Sequence, residues 1–250
     1  MIQSLLKSQK NALTNIICDF FFPPHCVVCK KAGRWLCKKC ETQNLAFSQL
    51  CFYCREGSLN GITHKTCIQN TKVCKLISFY QYNDITKSLL RKIKFKHSYI
   101  LTETIIDLVS ERIKHIYFTP NTLITSIPLH PDRERWRGYN QSKIIAENIA
   151  NIKNLKYVEL IIRTKNTKPQ SSLKFKDRRK NMRTAFENIN TDININISNI
   201  NLIIFDDVIT SGATIENASS IIKEKYPNIN ITAMCFALSQ SKKYDRLSTS

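Results

Sequence analysis

Glycine is scarce in this chain, with only 5 in 250 residues, and none begins the spacing that ends in Gly-Lys-Ser or Gly-Lys-Thr. A Walker A loop and a three-glycine dinucleotide fingerprint are both excluded, because each needs glycine where the backbone closes on phosphate. Long apolar runs are missing as well, and no stretch approaches the roughly 18 uninterrupted apolar residues of a membrane-spanning helix. The run at residues 16–22 is broken by Asp19 and closed by Pro23 and Pro24, with no small-residue cleavage site behind it. A secretory signal is not expected, and the chain reads as a cytoplasmic protein without a transmembrane segment. Acidic residues are also few, 19 Asp and Glu against 38 Lys and Arg, for a net charge of +19. Such an excess favours salt-sensitive contact with polyanions, whether nucleic acid, phosphorylated metabolites or an anionic membrane surface. The abundance of Lys, Ile and Asn fits a biased composition, so charge alone is a weak pointer.

Cysteine is plentiful, with ten residues, nine of them before residue 75. Cys26 and Cys29, Cys37 and Cys40, Cys51 and Cys54, and finally His64 and Cys67 each enclose two residues. A pair at this spacing turns two side chains toward one ion, and two pairs complete the tetrahedral shell of a structural zinc. In a reducing compartment, metal ligation is favoured over disulfides. Two zinc sites are expected. The simplest arrangement joins neighbouring pairs, while an interleaved one uses the same ligands. His64 is the weakest member of the set, and Cys74 is an alternative to it. With four protein ligands each, these ions would stabilise the fold and do no chemistry.

From residue 75 onward, strand and helix patterns alternate. Strands are expected at residues 76–82, 123–127, 157–162, 202–205 and 229–238. Helical spacing runs through Ile85, Leu89, Leu90 and Ile93, then through Leu101, Ile105, Leu108 and Ile113. Two later helices carry Ile145, Ile149 and Ile152, and Ile215, Ala218 and Ile222. This alternation predicts an α/β domain over residues 75–250, doubly wound around a mostly parallel sheet, behind a small zinc-ribbon module at residues 1–74. Ligands of such sheets bind beyond the carboxyl ends of the strands.

The chemistry concentrates after the strand at 202–205, where Asp206 and Asp207 lead through Val208 into Ile209, Thr210, Ser211, Gly212, Ala213 and Thr214. The backbone amides of residues 210–214 and the following helix N-terminus can wrap a phosphate, with Gly212 permitting close approach. The hydroxyls of Thr210, Ser211 and Thr214 add donors. The adjacent carboxylates can accept hydrogen bonds from two neighbouring ribose hydroxyls. A plainer role for paired acids at a strand end is helix capping or magnesium ligation.

Residues 202–214 resemble the phosphoribosyl pyrophosphate motif of type I phosphoribosyltransferases. Two further segments narrow the likeness. Ile127, Pro128, Leu129 and His130, with Arg137, Gly138, Tyr139, Asn140 and Gln141, followed by Arg163, Thr167, Gln170, Leu173, Arg178, Asn181, Ala185 and Phe186, resemble the ComF family of competence proteins. That family also carries an N-terminal double zinc ribbon, and the likeness runs from about Phe22 to Leu238. His64 departs from it, since the family more usually has cysteine there.

The resemblance implies a type I phosphoribosyltransferase fold in which residues 128–130 form the pyrophosphate loop and 137–141 the adjacent helix entrance. Residues 163–183 would include a closing loop, where nine basic residues face a single acid, Asp177. It implies binding of phosphoribosyl pyrophosphate with magnesium, and a role in natural transformation. There the family handles incoming single-stranded DNA with other competence proteins, such as a helicase or DNA-processing partner, at the cytoplasmic face of the inner membrane. Were the domain catalytic, pyrophosphate would be displaced at the anomeric carbon by a nitrogen nucleophile of an unidentified acceptor. Arg163 and Arg178 would then stabilise the leaving group while Asp206 and Asp207 hold the ribose. The alternative is a purine- or pyrimidine-type metabolic phosphoribosyltransferase with no DNA role. Residues 87–96 and 174–180 each set an aromatic, Phe95 or Phe175, among five basic residues. Such segments suit single strands, although an aromatic beside lysines more often anchors a core next to a solvated face.

Overall fold

The computed structural model describes residues 24–44, 49–95, 99–164, 185–189 and 200–239. The chain divides into two compact units, Met1–Leu45 and Ala46–Ser250, so the boundary expected at residue 74 falls inside the larger one.

The smaller unit opens on a tight knuckle. The Lys30 N–H donates to the Cys26 carbonyl at 2.9 Å, the Cys26 N–H donates to Lys31, and His25 bridges Ala32. Lys30 takes a left-handed φ of 62°, which brings Cys26 and Cys29 to one side of the turn. A short helix, α1 (Lys38–Asn44), follows. The larger unit begins with the same device: the Arg55 N–H donates to the Cys51 carbonyl at 3.1 Å, Leu50 bridges Gly57, and Arg55 has φ 64°. A left-handed non-glycine residue costs about 1–2 kcal/mol, so the chain makes the same costly turn twice.

Behind the second knuckle come β1 (Val73–Gln81), α2 (Asp84–Phe95), α3 (Tyr99–Ile113), β2 (Thr122–Ser126), α4 (Pro131–Arg137), α5 (Gln141–Lys153), β3 (Lys156–Tyr157), β4 (Ile161–Arg163), β5 (Phe186–Asn188), β6 (Asn201–Ile209), α6 (Ala213–Lys225) and β7 (Asn230–Leu238). Five strands form a sheet in the order β1-β7-β6-β2-β3. Every pairing in it is parallel. This is the doubly wound α/β architecture expected from the alternating pattern.

Side chains alternate across a strand, and both faces are apolar. Leu202, Ile204, Ile231 and Ala233 share a buried cluster with Ile215, Ala218 and Ile222 of α6 and with Phe52 of the second knuckle. On the opposite parity, Tyr80 packs its ring against Phe236 at 5.2 Å and donates its hydroxyl to the Leu108 carbonyl in α3. Truncating any of these buried Leu or Ile side chains to alanine costs about 2–5 kcal/mol.

Two strands differ from expectation. Residues 157–162 do not form one strand: β3 joins the parallel sheet, whereas β4 leaves it to pair antiparallel with β5, Arg163 opposite Phe186. The run at 202–205 does not stop at the first acid. It continues to Ile209, because Asp206 and Val208 still find partners in Cys235 and Ala237 of β7. The outer end of the α5 stripe, Ile152, is exposed, while Ile145 and Ile149 are buried.

The connections set the site. From β2 the chain moves through α5 to β3 on one side, and from β6 through α6 to β7 on the other. The sense of winding therefore reverses between β2 and β6. Their carboxyl ends flank the crevice where ligands of such sheets bind.

Candidate functional site

Two loops rise from that crevice side by side, since Ser126 is in register with Phe205 and the Ile127 N–H donates to the Phe205 carbonyl at 2.9 Å. Residues 210–214 leave β6 and enter α6. Gly212 sits at φ 80°, and a Cβ there would lie 2.9 Å from the Phe52 ring and 3.1 Å from the Arg55 guanidinium. Only glycine fits both the conformation and the space. Because Gly212 has no side chain to cap α6, an anion can serve the first-turn N–H groups. Thr210 and Ser211 are exposed, and Ile209 is buried as the anchor beneath them.

The other loop is built by capping. Pro128 and Leu129 line a cleft of about 190 Å³ together with Ser126, Asn140, Tyr157 and Arg163. His130 caps α4, its Nδ1 accepting from the Asp132 N–H at 3.2 Å, with Pro131 at the first helical turn. Gly138 ends α4 in a left-handed conformation. Asn140 then caps α5 through the Ser142 and Lys143 N–H groups, while its own Nδ2 donates to the Ile127 carbonyl at 3.0 Å. One buried asparagine thus fixes both the start of α5 and the end of β2.

The acids reach toward this helix start. Gln141 Nε2 donates to Asp207 Oδ2 at 2.9 Å, and Arg137 Nη1 donates to Gln141 Oε1 at 2.6 Å. The chain Arg137–Gln141–Asp207 leaves Asp207 buried. Asp206, half-buried, accepts from its neighbour's N–H at 2.9 Å and from Ser142 Oγ at 3.4 Å. Burial lowers the Arg137 pKa, and the Asp207 charge opposes that shift. Arg163 behaves alike, lowered by burial and by Arg133, with Asp206 acting the other way. Its guanidinium carbon stands 5.6 Å from the Phe186 ring centroid across the β4–β5 ribbon. The structure therefore gathers Asp206, Asp207, Arg137, Asn140, Gln141 and Arg163 around the two loops. Arg178 lies outside the described residues, as do Thr167, Gln170, Leu173 and Asn181.

The cysteines assemble by neighbouring pairs. Cys26, Cys29, Cys37 and Cys40 bring their Sγ atoms within 4.8 Å of one another, and Cys51, Cys54, His64 and Cys67 do the same with Sγ and ring nitrogen. The Cys29 and Cys37 sulfurs are 3.7 Å apart, close to the edge of a tetrahedron with Zn–S bonds of about 2.3 Å. Thiol acidity is uneven in the first cluster. Burial pushes Cys26 up, but the N–H groups of Cys37, Cys29 and Val28 outweigh it and bring it down to about 6. Cys40, with burial and its neighbouring thiols, is pushed up to about 12. Four thiolates need a cation among them, so the donor set fits a divalent metal. In the second cluster His64 Nδ1 lies 3.4 Å from Cys54 Sγ, while Nε2 is 3.1 Å from the Gly57 carbonyl. That outer hydrogen bond leaves Nδ1 as the lone-pair nitrogen facing the sulfurs, the usual orientation of a ligating histidine. Cys74 sits on β1, outside both clusters.

Phe52, Arg55, Thr71, Ser142 and Glu216 also belong to this region, and sequence reading passed over them. Arg55 Nη2 donates to the Thr210 carbonyl at 3.3 Å, and Glu216 on α6 accepts from Thr71 Oγ1 at 2.6 Å and from the Lys72 N–H at 2.9 Å. Only the placement of Arg55 directly after a Cys-x-x-Cys pair carried a local signal.

No family model matches the chain. Among characterised proteins it is similar to Competence protein F of Haemophilus influenzae, 26% identical over 82% of this chain and 93% of that protein. It is also similar to Competence protein ComFC of Bacillus subtilis, 29% identical over 59% of this chain and 58% of the other. The DNA utilization protein YhgH of Escherichia coli is 24% identical over 86% and 98%. Among solved structures, adenine phosphoribosyltransferase from Leishmania tarentolae covers 62% of this chain and 74% of its own, at TM-score 0.33 and 12% identity. That superposition is loose, and strand order and winding define the fold instead. No helix among the described residues is long and apolar enough to cross a membrane. Strand order, the loop between β6 and α6, and these similarities point the same way: the chain is similar to ComF-type competence proteins and DNA utilization proteins, and it carries a doubly wound, parallel α/β domain.

Proposed function

We propose that the crevice between β2 and β6 binds phosphoribosyl pyrophosphate with magnesium, and that the protein uses this site while handling single-stranded DNA in natural transformation. The carrying observation is the convergence at the winding reversal of a hydroxyl-rich turn, two acids and a second, capped loop. In this reading the amides of residues 210–214, with Ile209 beneath and the Thr210, Ser211 and Thr214 hydroxyls around them, hold the 5-phosphate. Asp206, the more accessible acid, accepts from the ribose hydroxyls. Asp207 holds Gln141 and so fixes the start of α5. Residues 128–130 face the pyrophosphate, with Arg137 and Arg163 supplying positive charge and Arg178 adding to it. Magnesium would be carried on the pyrophosphate oxygens and share their charge. The same arrangement suits displacement of pyrophosphate at the anomeric carbon, where the two arginines would steady the departing charge.

The two thiol clusters fit structural zinc, for which sulfur and imidazole donors are the preferred set. The competence and DNA-utilization names of the relatives support the DNA role over a purely metabolic one. A net charge of +19 suits contact with a polyanion, and a cytoplasmic position at the inner-membrane face would meet an incoming strand and its helicase or processing partner.

Titration calorimetry with phosphoribosyl pyrophosphate in magnesium buffer tests the reading. The wild type should bind, and Asp206→Asn should bind at least about tenfold more weakly, the ratio for losing a hydrogen bond to a charged acceptor. No heat and no thermal shift on folded, metal-loaded wild type would falsify it. Pyrophosphate release on adding candidate bases would establish turnover. For DNA, log affinity against log salt should fall with a slope that becomes shallower in a variant neutralising Arg178, Arg179 and Lys180.

A further inference from the structure

From the contacts of the second knuckle we infer that Arg55 is a positioning residue for the loop at 210–214, and that the second metal cluster is the mount holding it there. This rests on the reading above for what the loop binds, though not for what shapes it. Four contacts support the inference. Arg55 is 7% exposed and spans 155 positions of sequence to donate Nη2 to the Thr210 carbonyl at 3.3 Å. Its guanidinium lies 5.2 Å from the Phe52 ring centroid, and both press on Gly212, where even a methyl group would collide. Phe52 is fully buried in the cluster that also contains Ile209 and Ile215, the residues before and after the loop. Finally, the segment leaving the cluster is tied to α6 by Glu216 through Thr71 and Lys72.

The stereochemistry gives these contacts a direction. In a planar trans peptide the C=O of one residue and the N–H of the next point opposite ways. By holding the Thr210 carbonyl, Arg55 turns the Ser211 N–H away from the knuckle. Arg55 can do so only because its own left-handed turn, closed by the bond to the Cys51 carbonyl, aims the side chain. That turn is the one that brings Cys51 and Cys54 together. Metal ligation at the pair and grip on the loop are consequences of one backbone conformation. A buried guanidinium beneath the turn also adds positive charge to a site for an anion, at a position shielded from salt.

The test uses the full chain with its metal bound, comparing wild type with Arg55→Met and Arg55→Lys. Amide hydrogen exchange is read without ligand at Glu216, whose N–H closes the loop by donating to the Gly212 carbonyl at 2.9 Å, and affinity for phosphoribosyl pyrophosphate in magnesium buffer is read in parallel. Arg55→Met should speed exchange of this loop-closing amide about tenfold and weaken binding by a similar factor, the ratio for one hydrogen bond to a charged donor. Metal content should be unchanged and the exchange of β7 unaltered. Arg55→Lys, which keeps the charge but not the fork, should fall between. Loop exchange in Arg55→Met equal to wild type overturns the inference even where binding is normal. Should Arg55→Met fail to fold, Arg55→Lys decides, and wild-type exchange in it overturns the inference too. Absence of binding by the wild type sinks the ribosyl-phosphate reading alone, because exchange still judges Arg55.

Discussion

The two cysteine knuckles share a backbone and differ in what their fifth residue does. Lys30 and Arg55 both follow a Cys-x-x-Cys pair, both adopt φ near 60°, and both donate their N–H to the carbonyl of the first cysteine. Lys30 is exposed and its Nζ donates to the Val27 carbonyl at 3.3 Å, three residues back. Arg55 is buried and reaches Thr210 across the fold. One turn therefore serves two purposes. In the smaller unit it gathers thiols, and in the larger it also reaches the loop for which ligand binding is proposed. A metal-binding repeat becomes part of a site when its surroundings give the residue after the second cysteine something to hold.

Cluster variants should separate the two knuckles most sharply. Structural zinc in small domains is worth about 10–16 kcal/mol at neutral pH, on the scale of the whole stability of an ordinary domain. Cys54→Ser should unfold residues 51–72 and loosen α6 through Phe52 and Glu216. The readout is a lower melting midpoint with loss of ligand binding. Cys29→Ser should lose one metal equivalent and leave binding unchanged, as the Lys30 side chain bonds within its own knuckle where Arg55 bonds to Thr210. Equal loss of binding in both variants would remove the distinction between the knuckles.

A smaller effect is expected where the second knuckle's hairpin meets β1. Gly61 adopts φ 71°, and a Cβ there would fall 2.0 Å from the Leu76 carbonyl oxygen. Gly61→Ala must move backbone, costing about 3 kcal/mol from crowding and the left-handed strain together. Denaturant melts should show this cost with metal content intact.

Below that comes the tie to α6. Glu216→Ala strands the Thr71 hydroxyl and the Lys72 N–H, for about 1.5 kcal/mol. It should raise exchange at the Lys72 amide and weaken ligand binding less than Arg55→Met does. A larger effect than that of Arg55→Met would shift the main support of the loop from knuckle to helix.

The same contrast explains what sequence alone disclosed. Spacing announces chemistry that is local, and the four ligand pairs and the turn at 210–214 all lie within a few residues of their partners. Parallel strands with apolar runs were readable for the same reason. Contacts that join distant segments leave little mark. Nothing near Arg55 points to Thr210, and Glu216 is one of many surface-like acids on a helix. The break between β3 and β4 was also hidden, because Val158, Leu160 and Ile161 keep the apolar pattern of a strand while the chain turns from one sheet to another. The extension of β6 through its two acids went unseen because β7, and not hydrophobicity, decides where that strand ends.

The smallest predicted effect is the control that gives the others meaning. Lys30→Met removes a side chain that is solvent-exposed and bonds at short range to Val27. Surface substitutions of this kind usually change stability by no more than about 0.5 kcal/mol. The left-handed turn remains, since it is fixed by the Lys30 N–H and not by the side chain. Metal content, melting midpoint and affinity for phosphoribosyl pyrophosphate should therefore match wild type, while the equivalent change at Arg55 weakens binding about tenfold. Were Lys30→Met to weaken binding as much, the effect would belong to net charge, shared by every cation on a basic surface, and a salt titration would show it by abolishing the difference.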